Sequence, residues 1–332
     1  MNAPVPPTAV TPYQPNGAIR PAAVANLLIS LMLAAAIVGV AAYWLGKFIY
    51  LILIFPLGMG LLIGMAGKWM VKLYAIRNLK VCRTASLLAG LMTLFVFQYT
   101  GYLEARQLLA EEPWVDAVLE MEAYSAAERQ LLWGGQFTEA EYQESLKIAK
   151  AVQSFPAYVA LEAEHGVEIS RTGSGFGSIN LGEYGTWIYW IVEWMVIAWL
   201  CYITLRTQAL APYCDLTHTW MEPLEGFYLQ NHPSEVFRAI ETGNTIRMKR
   251  VAGTPPDGSL LVEWYQSPAR DLAEKDMVSL TRFSLDNKGN PKHTHMATYE
   301  VDTFIADPFL AWLHGTPKAP ASQNPTPPPE TA

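Results

Sequence analysis

The sequence predicts a mainly α-helical membrane protein. It should have four transmembrane helices, an inserted external helical domain, and a C-terminal cytoplasmic α+β domain with a small antiparallel sheet. Three observations lead there. Three long apolar stretches lie between Pro21 and Tyr102, and a fourth runs from Trp187 to Leu205. One short segment between them, Lys68 to Arg83, holds five basic residues and no acid. Charged residues make up only 16% of the 332-residue chain, and the deficit sits in those four stretches. A soluble protein usually carries about 25%.

Residues 1–20 are rich in Pro, Thr and Ala and cannot bury a core, so they are expected to be disordered. Residues 21–103 form the first membrane segment. Its first span, Pro21 to Trp44, is too long for the apolar part of a signal peptide, and a second span follows after a three-residue turn at Lys47. The second runs from Phe48 to Ala66 and the third from Ala85 to Tyr102. Each has about the 20 residues needed to cross a hydrocarbon core ~30 Å thick. Tyr and Trp gather at the span ends, where a ring that is part apolar and part hydrogen-bonding is best accommodated.

The basic loop, residues 67–84, sets the orientation. Lys68, Lys72, Arg77, Lys80 and Arg83 hold it on the cytoplasmic side, because short cationic loops are retained there. Both termini are then cytoplasmic, and the acidic segment 104–186 is external. The implied location is a bacterial inner membrane crossed several times, with the lipid bilayer as the first partner.

Within the second span, Gly60 and Gly64 form a G-x-x-x-G that lets two helix backbones approach closely. It could serve a homo-oligomer or packing against spans one and three of the same chain. The fourth span occupies residues 187–206 and contains Glu193, an intramembrane carboxylate. Such a group is costly and points to function by default. It could relay protons, bind a cation, or make a structural hydrogen bond near the outer interface.

Segment 104–186 has 14 acidic and 5 basic residues up to Glu183 and reads as helical. Pro113 suits a first helical turn. Ser125 can cap a short helix ending at Gly134. Thr138 with Glu141 forms a capping box, and Tyr142, Leu146, Ala149, Val152 and Phe155 recur at helical spacing. Pro156 opens a helix that Gly166 closes. Arg171 to Ser178 has the glycines of a phosphate cradle without its G-K-[ST] ending, and is expected to be a loop.

Residues 207–314 read as α+β. Ser234 is expected to cap a helix through Glu241. Candidate strands follow at Thr245–Val251, Ser259–Gln266, Met277–Leu285 and His293–Val301, and a closing helix at Phe304–Leu313. Residues 315–332 form a second Pro-rich tail.

No cofactor is expected. Zinc is the one metal worth considering. Cys214 and His218 would share a helix face, and His293 and His295 a strand face. The spacing matches no zinc-finger pattern. The three cysteines give no disulfide framework. There is no nucleophile elbow and no basic footprint for nucleic acid. The chain therefore reads first as a non-enzymatic membrane protein that anchors or regulates a partner complex through its soluble domains. The alternatives are a small transport or channel component using Glu193 and a membrane-bound enzyme with a Cys/His metal site.

One resemblance follows from the residues. Phe155-Pro-Ala-Tyr-Val-Ala-Leu-Glu-Ala-Glu-His-Gly-Val-Glu-Ile-Ser-Arg, Asn180-Leu-Gly-Glu-Tyr-Gly-Thr-Trp and Pro212-Tyr-Cys, set after a basic-loop hairpin, resemble uncharacterised bacterial four-span membrane proteins. The likeness covers roughly residues 48–220. That pattern continues as C-x-x-C, whereas this chain has Thr217 at the second position. The resemblance implies no activity.

Overall fold

The computed structural model describes residues 10–312, apart from 16, 18–19, 49–53, 110–111, 133–137, 170–178, 243, 269–274, 288, 303–306 and 308. The phosphate-cradle look-alike at 171–178 and the tail 315–332 lie outside the described residues. So do the Gly134 helix stop and half of the expected closing helix, whose described residues 307 and 309–312 are helical. The described chain forms two compact units, Asn16–Ala209 and a second made from both ends, Met1–Pro15 with Leu210–Ala332.

The first unit is helical. Its long helices are α1 (Pro21–Gly46), α2 (Ile54–Leu73), α3 (Leu79–Leu109) and α8 (Gly182–Ala209). All four are long and apolar enough to cross a membrane. Their outward faces remain apolar: Ile29, Leu33, Ile37, Leu61, Ile188 and Trp199 are each more than half exposed. In water those faces would cost free energy in proportion to area, and a hydrocarbon surround removes that cost. Leu27, Leu31, Ile63, Ile197 and Leu205 fill the interior.

Small residues set the interhelical approach. A Cβ on Gly39 would lie 2.7 Å from the Thr93 carbonyl oxygen, joining α1 to α3. One on Gly90 would meet Trp194 Cδ1 at 3.1 Å, joining α3 to α8. Without a hydrophobic drive between helices in lipid, such close packing is a main source of association.

The basic loop is shorter than expected. Helix α2 runs to Leu73 and α3 starts at Leu79, so Lys68 and Lys72 lie on α2 and Lys80 and Arg83 on α3. Only 74–78 connects them. Asn78 caps α3, its Oδ1 accepting from the Lys80 N–H at 2.9 Å and the Val81 N–H at 3.2 Å. Ala75, at φ 51°, takes the left-handed conformation of the turn.

Between α3 and α8 come α4 (Pro113–Glu120), α5 (Ala126–Leu132), α6 (Glu139–Gln153), α7 (Phe155–His165) and a two-residue hairpin, β2 (Glu168–Ile169) with β3 (Ile179–Asn180). The Thr138–Glu141 capping box forms in full. Ser125 and Glu128 form a second cap at α5. Tyr142, Leu146 and Ala149 of α6 pack on Val115 and Val118 of α4. These helices cluster with the long ones in a single unit rather than forming a domain of their own. Helix α7 explains why: Phe155 stacks edge-on with Phe95, Tyr99 and Tyr102 of α3 at centroid distances of 5.3, 5.4 and 5.8 Å.

Among the described residues the second unit has a five-stranded antiparallel sheet, one ten-residue helix and a short helical stretch at 309–312. Its strands are β1 (Val10–Pro12), β6 (Pro223–Leu229), β7 (Leu260–Tyr265), β8 (Asp276–Leu285) and β9 (Pro291–Val301), in the order β1-β9-β8-β7-β6. A small hairpin, β4 (Tyr213–Cys214) with β5 (Thr219–Trp220), precedes β6. Helix α9 (Pro233–Thr242) packs Val236, Ala239 and Ile240 against Leu229, Leu260, Val262, Trp264, Val278, Leu280 and Val301. Buried Phe309 and Leu310 close the same core.

Three expectations are corrected here. The N-terminal 20 residues are not wholly without structure, since Val10, Thr11 and Pro12 pair with Val301, Glu300 and Tyr299. Proline is tolerated because β1 is an edge strand that need not donate on its outer side. Thr245–Val251 is a hydrogen-bonded turn with a single bridge from Arg250 to Leu229, and the sheet's outer strand is β6 instead. Ser234 does not cap α9. Proline at 233 takes the first helical position, where its missing N–H costs nothing, and the Ser234 hydroxyl contacts His232 Nδ1 at 2.8 Å.

Candidate functional site

Helix α8 carries the strongest sequence-derived candidate. Thr186, Glu193, Ile197, Cys201 and Leu205 are buried and recur at helical spacing along one stripe. Glu193 is 7% exposed, and the Tyr189 hydroxyl, one turn earlier, donates to its Oε1. This pair sits one turn from Ile197, where α8 meets α2. Trp194 on the adjoining face donates from Nε1 to the Leu87 carbonyl at 3.0 Å, fixing α8 against α3. The arrangement gives a carboxyl group a hydrogen-bond donor in an apolar surround. Among the described residues no cation pairs with it.

Gly60 and Gly64 face α8, not spans one and three. A Cβ on Gly60 would lie 2.9 Å from the Ile197 carbonyl oxygen and 3.0 Å from Ile197 Cα. One on Gly64 would lie 2.8 Å from Thr204 Oγ1 and 3.3 Å from Cys201 Cα. Gly67 continues the contact, close to Leu205 and Leu31. The G-x-x-x-G surface is thus covered within one chain.

Sequence reasoning missed a polar cluster at the far end of α1. Both Glu104 carboxylate oxygens accept from Lys47 Nζ, and Tyr43 also donates to that carboxylate. Lys47 Nζ lies 4.5 Å from the centre of the Trp44 ring, a cation–π distance. Gly101 leaves room for Tyr158 of α7, whose hydroxyl would be 2.6 Å from an added Cβ. The available signal was Lys47 itself, a lone cation at a turn otherwise made of apolar and aromatic residues, which calls for an acidic partner.

The metal candidates do not assemble. Cys214 and His218 are on a tight hairpin, not a helix, and His218 takes a positive φ of 56° at its turn. Buried Cys214 Sγ accepts from the Thr217 N–H at 3.3 Å. His293 and His295 lie on the exposed part of β9; His293 packs edge-on to Phe283 at 5.4 Å, and His295 Nε2 is 3.1 Å from Thr298 Oγ1. Among the described residues no three His, Cys, Asp or Glu side chains are grouped as a metal site would require.

Among the described residues of the second unit, Asp276 is the buried carboxylate. It is fully buried and accepts from Trp264 Nε1 at 3.2 Å and from the Ser267 N–H at 2.9 Å. These bonds tie the start of β8 to the end of β7, a structural task.

The geometry defines a helical protein with four helices long and apolar enough to span a membrane and a small antiparallel sheet. Compared with known proteins, the chain matches no family model, no curated protein and no solved structure.

Proposed function

We propose that this is a non-enzymatic protein of a bacterial inner membrane. It crosses the bilayer four times, keeps both termini in the cytoplasm, and anchors or regulates a partner complex through its soluble parts. The observation that supports the topological part of this reading is the pairing of β1 with β9. It requires residue 10 and residue 301 to share one compartment. An even number of spans is the arrangement that allows it, and four candidate spans separate the two segments. Hydrophobic patterning and strand pairing thus support the same topology by unrelated physics.

The pairing also tethers the sheet unit twice, through Pro15 toward α1 and through Leu210 from α8. A module held that way cannot diffuse from the membrane, and its partners are recruited at high effective concentration. The basic residues at the α2–α3 turn and Arg206 at the end of α8 favour the cytoplasm for that side.

The test is crosslinking in intact membranes followed by purification of the full chain. Partners should be captured by the wild type and lost when residues 215–313 are deleted. An identical set retained by the deleted form would refute a role for the sheet unit in recruitment.

A second reading, a small transport or channel component, is favoured by buried Glu193 with its Tyr189 donor. Glu193→Gln should then abolish ion or proton flux in reconstituted vesicles. Flux insensitive to that change, or none in either protein, would dismiss it.

A further inference from the structure

The turn after α9 presents an exposed isoleucine among basic side chains. Ile246 is 90% exposed, the most exposed large apolar residue among those described. Arg247, Lys249 and Arg250 follow it and Arg238 projects from α9; all four are exposed. No acidic residue occurs from 242 to 256. Arg238, Arg247 and Lys249 have no carboxylate within salt-bridge distance among the described residues. Glu235 of α9 is near enough to Arg247 that its carboxyl, lowered chiefly by the Asn231 hydrogen bond, is lowered in part by that charge. Arg250 lies over the Phe227 ring at 4.3 Å.

This turn is built, not loose. Asn231 Nδ2 donates to the Arg247 carbonyl at 3.1 Å, and Asn231 Oδ1 accepts from the Lys249 N–H at 2.8 Å. The Met248 N–H donates to the Thr245 carbonyl at 2.9 Å, and the Ile246 N–H to Asn244 Oδ1 at 3.2 Å. Met248 packs on the sheet core, which leaves Ile246 directed to solvent. Between α9 and the turn lies a groove of about 230 Å³ lined by Arg238, Thr242, Asn244 and Arg247, with Ala239 and Met248 among its walls. Glu235 is on its rim, already engaged by Asn231 Nδ2 at 3.0 Å and the His232 N–H at 3.3 Å.

We propose that this turn docks on the anionic lipid surface of the membrane that anchors the chain. Ile246 enters the headgroup layer, and Arg238, Arg247 and Lys249 contact lipid phosphates. The charge is complementary, because basic side chains near an anionic leaflet gain about fivefold in affinity each. An exposed aliphatic residue beside them is the pattern of interfacial binding. The sheet unit follows α8 directly in the chain, so a patch too small to recruit a free protein suffices for a tethered one. The proposal rests on the cytoplasmic placement of the sheet unit, where anionic headgroups face it.

The test uses the full chain in nanodiscs of zwitterionic lipid, or of zwitterionic plus anionic phosphatidylglycerol. A fluorophore is placed on Ala252→Cys, an exposed position beside the turn; the native cysteines are buried and should not label. Quenching by a headgroup nitroxide should be several-fold greater in anionic discs. It should fall to the zwitterionic level in Ile246→Ser and in the triple variant Arg238→Gln, Arg247→Gln, Lys249→Gln. All these side chains are exposed, so unchanged thermal unfolding is expected of each variant. Equal quenching in both lipids, or full quenching in the variants, overturns the proposal. Separately, an impermeant thiol reagent on intact cells should not label the Ala252→Cys protein. Labelling from outside would refute the topology instead, whatever the discs show.

Discussion

Replacing Gly60 by alanine should destabilise the helical unit, while the same change at Gly58 should not. The two glycines are about half a turn apart on α2, and what an added methyl would meet differs completely. At Gly60 it falls 2.9 Å from a backbone oxygen, 3.0 Å from a backbone carbon and 3.0 Å from Leu200 Cβ. Two of those atoms are main chain of α8, so no side-chain rotation relieves the clash and the helices must separate. Overpacking of this kind costs about 1–3 kcal/mol. At Gly58 nothing lies within 4 Å, and alanine favours a helix over glycine by about 1 kcal/mol. Equilibrium unfolding of the purified protein in mixed micelles measures both, with oligomeric state followed by light scattering. Gly60→Ala should lower stability with no change in mass. The reasoning would be refuted if both variants unfolded alike, or if Gly60→Ala altered only association between chains.

Asp276→Ala should leave the Trp264 N–H and Ser267 N–H without this acceptor, at a cost of about 1–3 kcal/mol. A lowered melting temperature of the sheet unit in tryptophan fluorescence would confirm it, and an unchanged one would not. Acid should weaken the start of α6. Backbone and hydroxyl donors of Thr138 hold the Glu141 carboxyl below its usual range, so the cap contributes above the ordinary carboxylate pKa and is lost as pH falls through the depressed one. Comparing wild type with Glu141→Gln by hydrogen exchange, corrected for intrinsic rates, should show a wild-type advantage at neutral pH that vanishes in acid. Deleting residues 1–13 should expose the β9 edge and raise amide exchange at Glu300, the position whose N–H faces β1, while protection of β7 persists. Rapid exchange at Glu300 in the intact chain would contradict the β1 pairing.

The four long apolar helices were legible because runs of about 20 apolar residues have the length and composition of a membrane-crossing helix. Their ends were less so. Lys68 and Arg83 look like loop residues in composition, yet they extend α2 and α3 because a charged side chain on a terminal turn can reach water while its backbone stays helical. The Thr138 capping box and the α6 stripe were readable from local chemistry alone. Three features were not, because each depends on a distant partner. Val10-Thr-Pro is too short and too proline-flanked to signal a strand, and it becomes one only against β9. Thr245–Val251 has β-branched and long side chains, but the Asn231 amide claims its backbone groups and folds it into a turn. The G-x-x-x-G at Gly60 announced a close approach without naming the helix opposite. At the candidate sites, Glu193 stood out as a carboxylate in an apolar run, whereas Glu104 was hidden among the acids that follow it.

The central claim is that the two chain ends share one compartment, opposite the segment between α3 and α8. Single cysteines at Tyr13, Lys147 and Lys292, probed with an impermeant thiol reagent on intact and opened cells, test it most directly. Lys147→Cys should label in intact cells, and Tyr13→Cys and Lys292→Cys only after opening. Labelling of positions 13 and 292 from opposite sides, or of 147 and 292 from the same side, would contradict it.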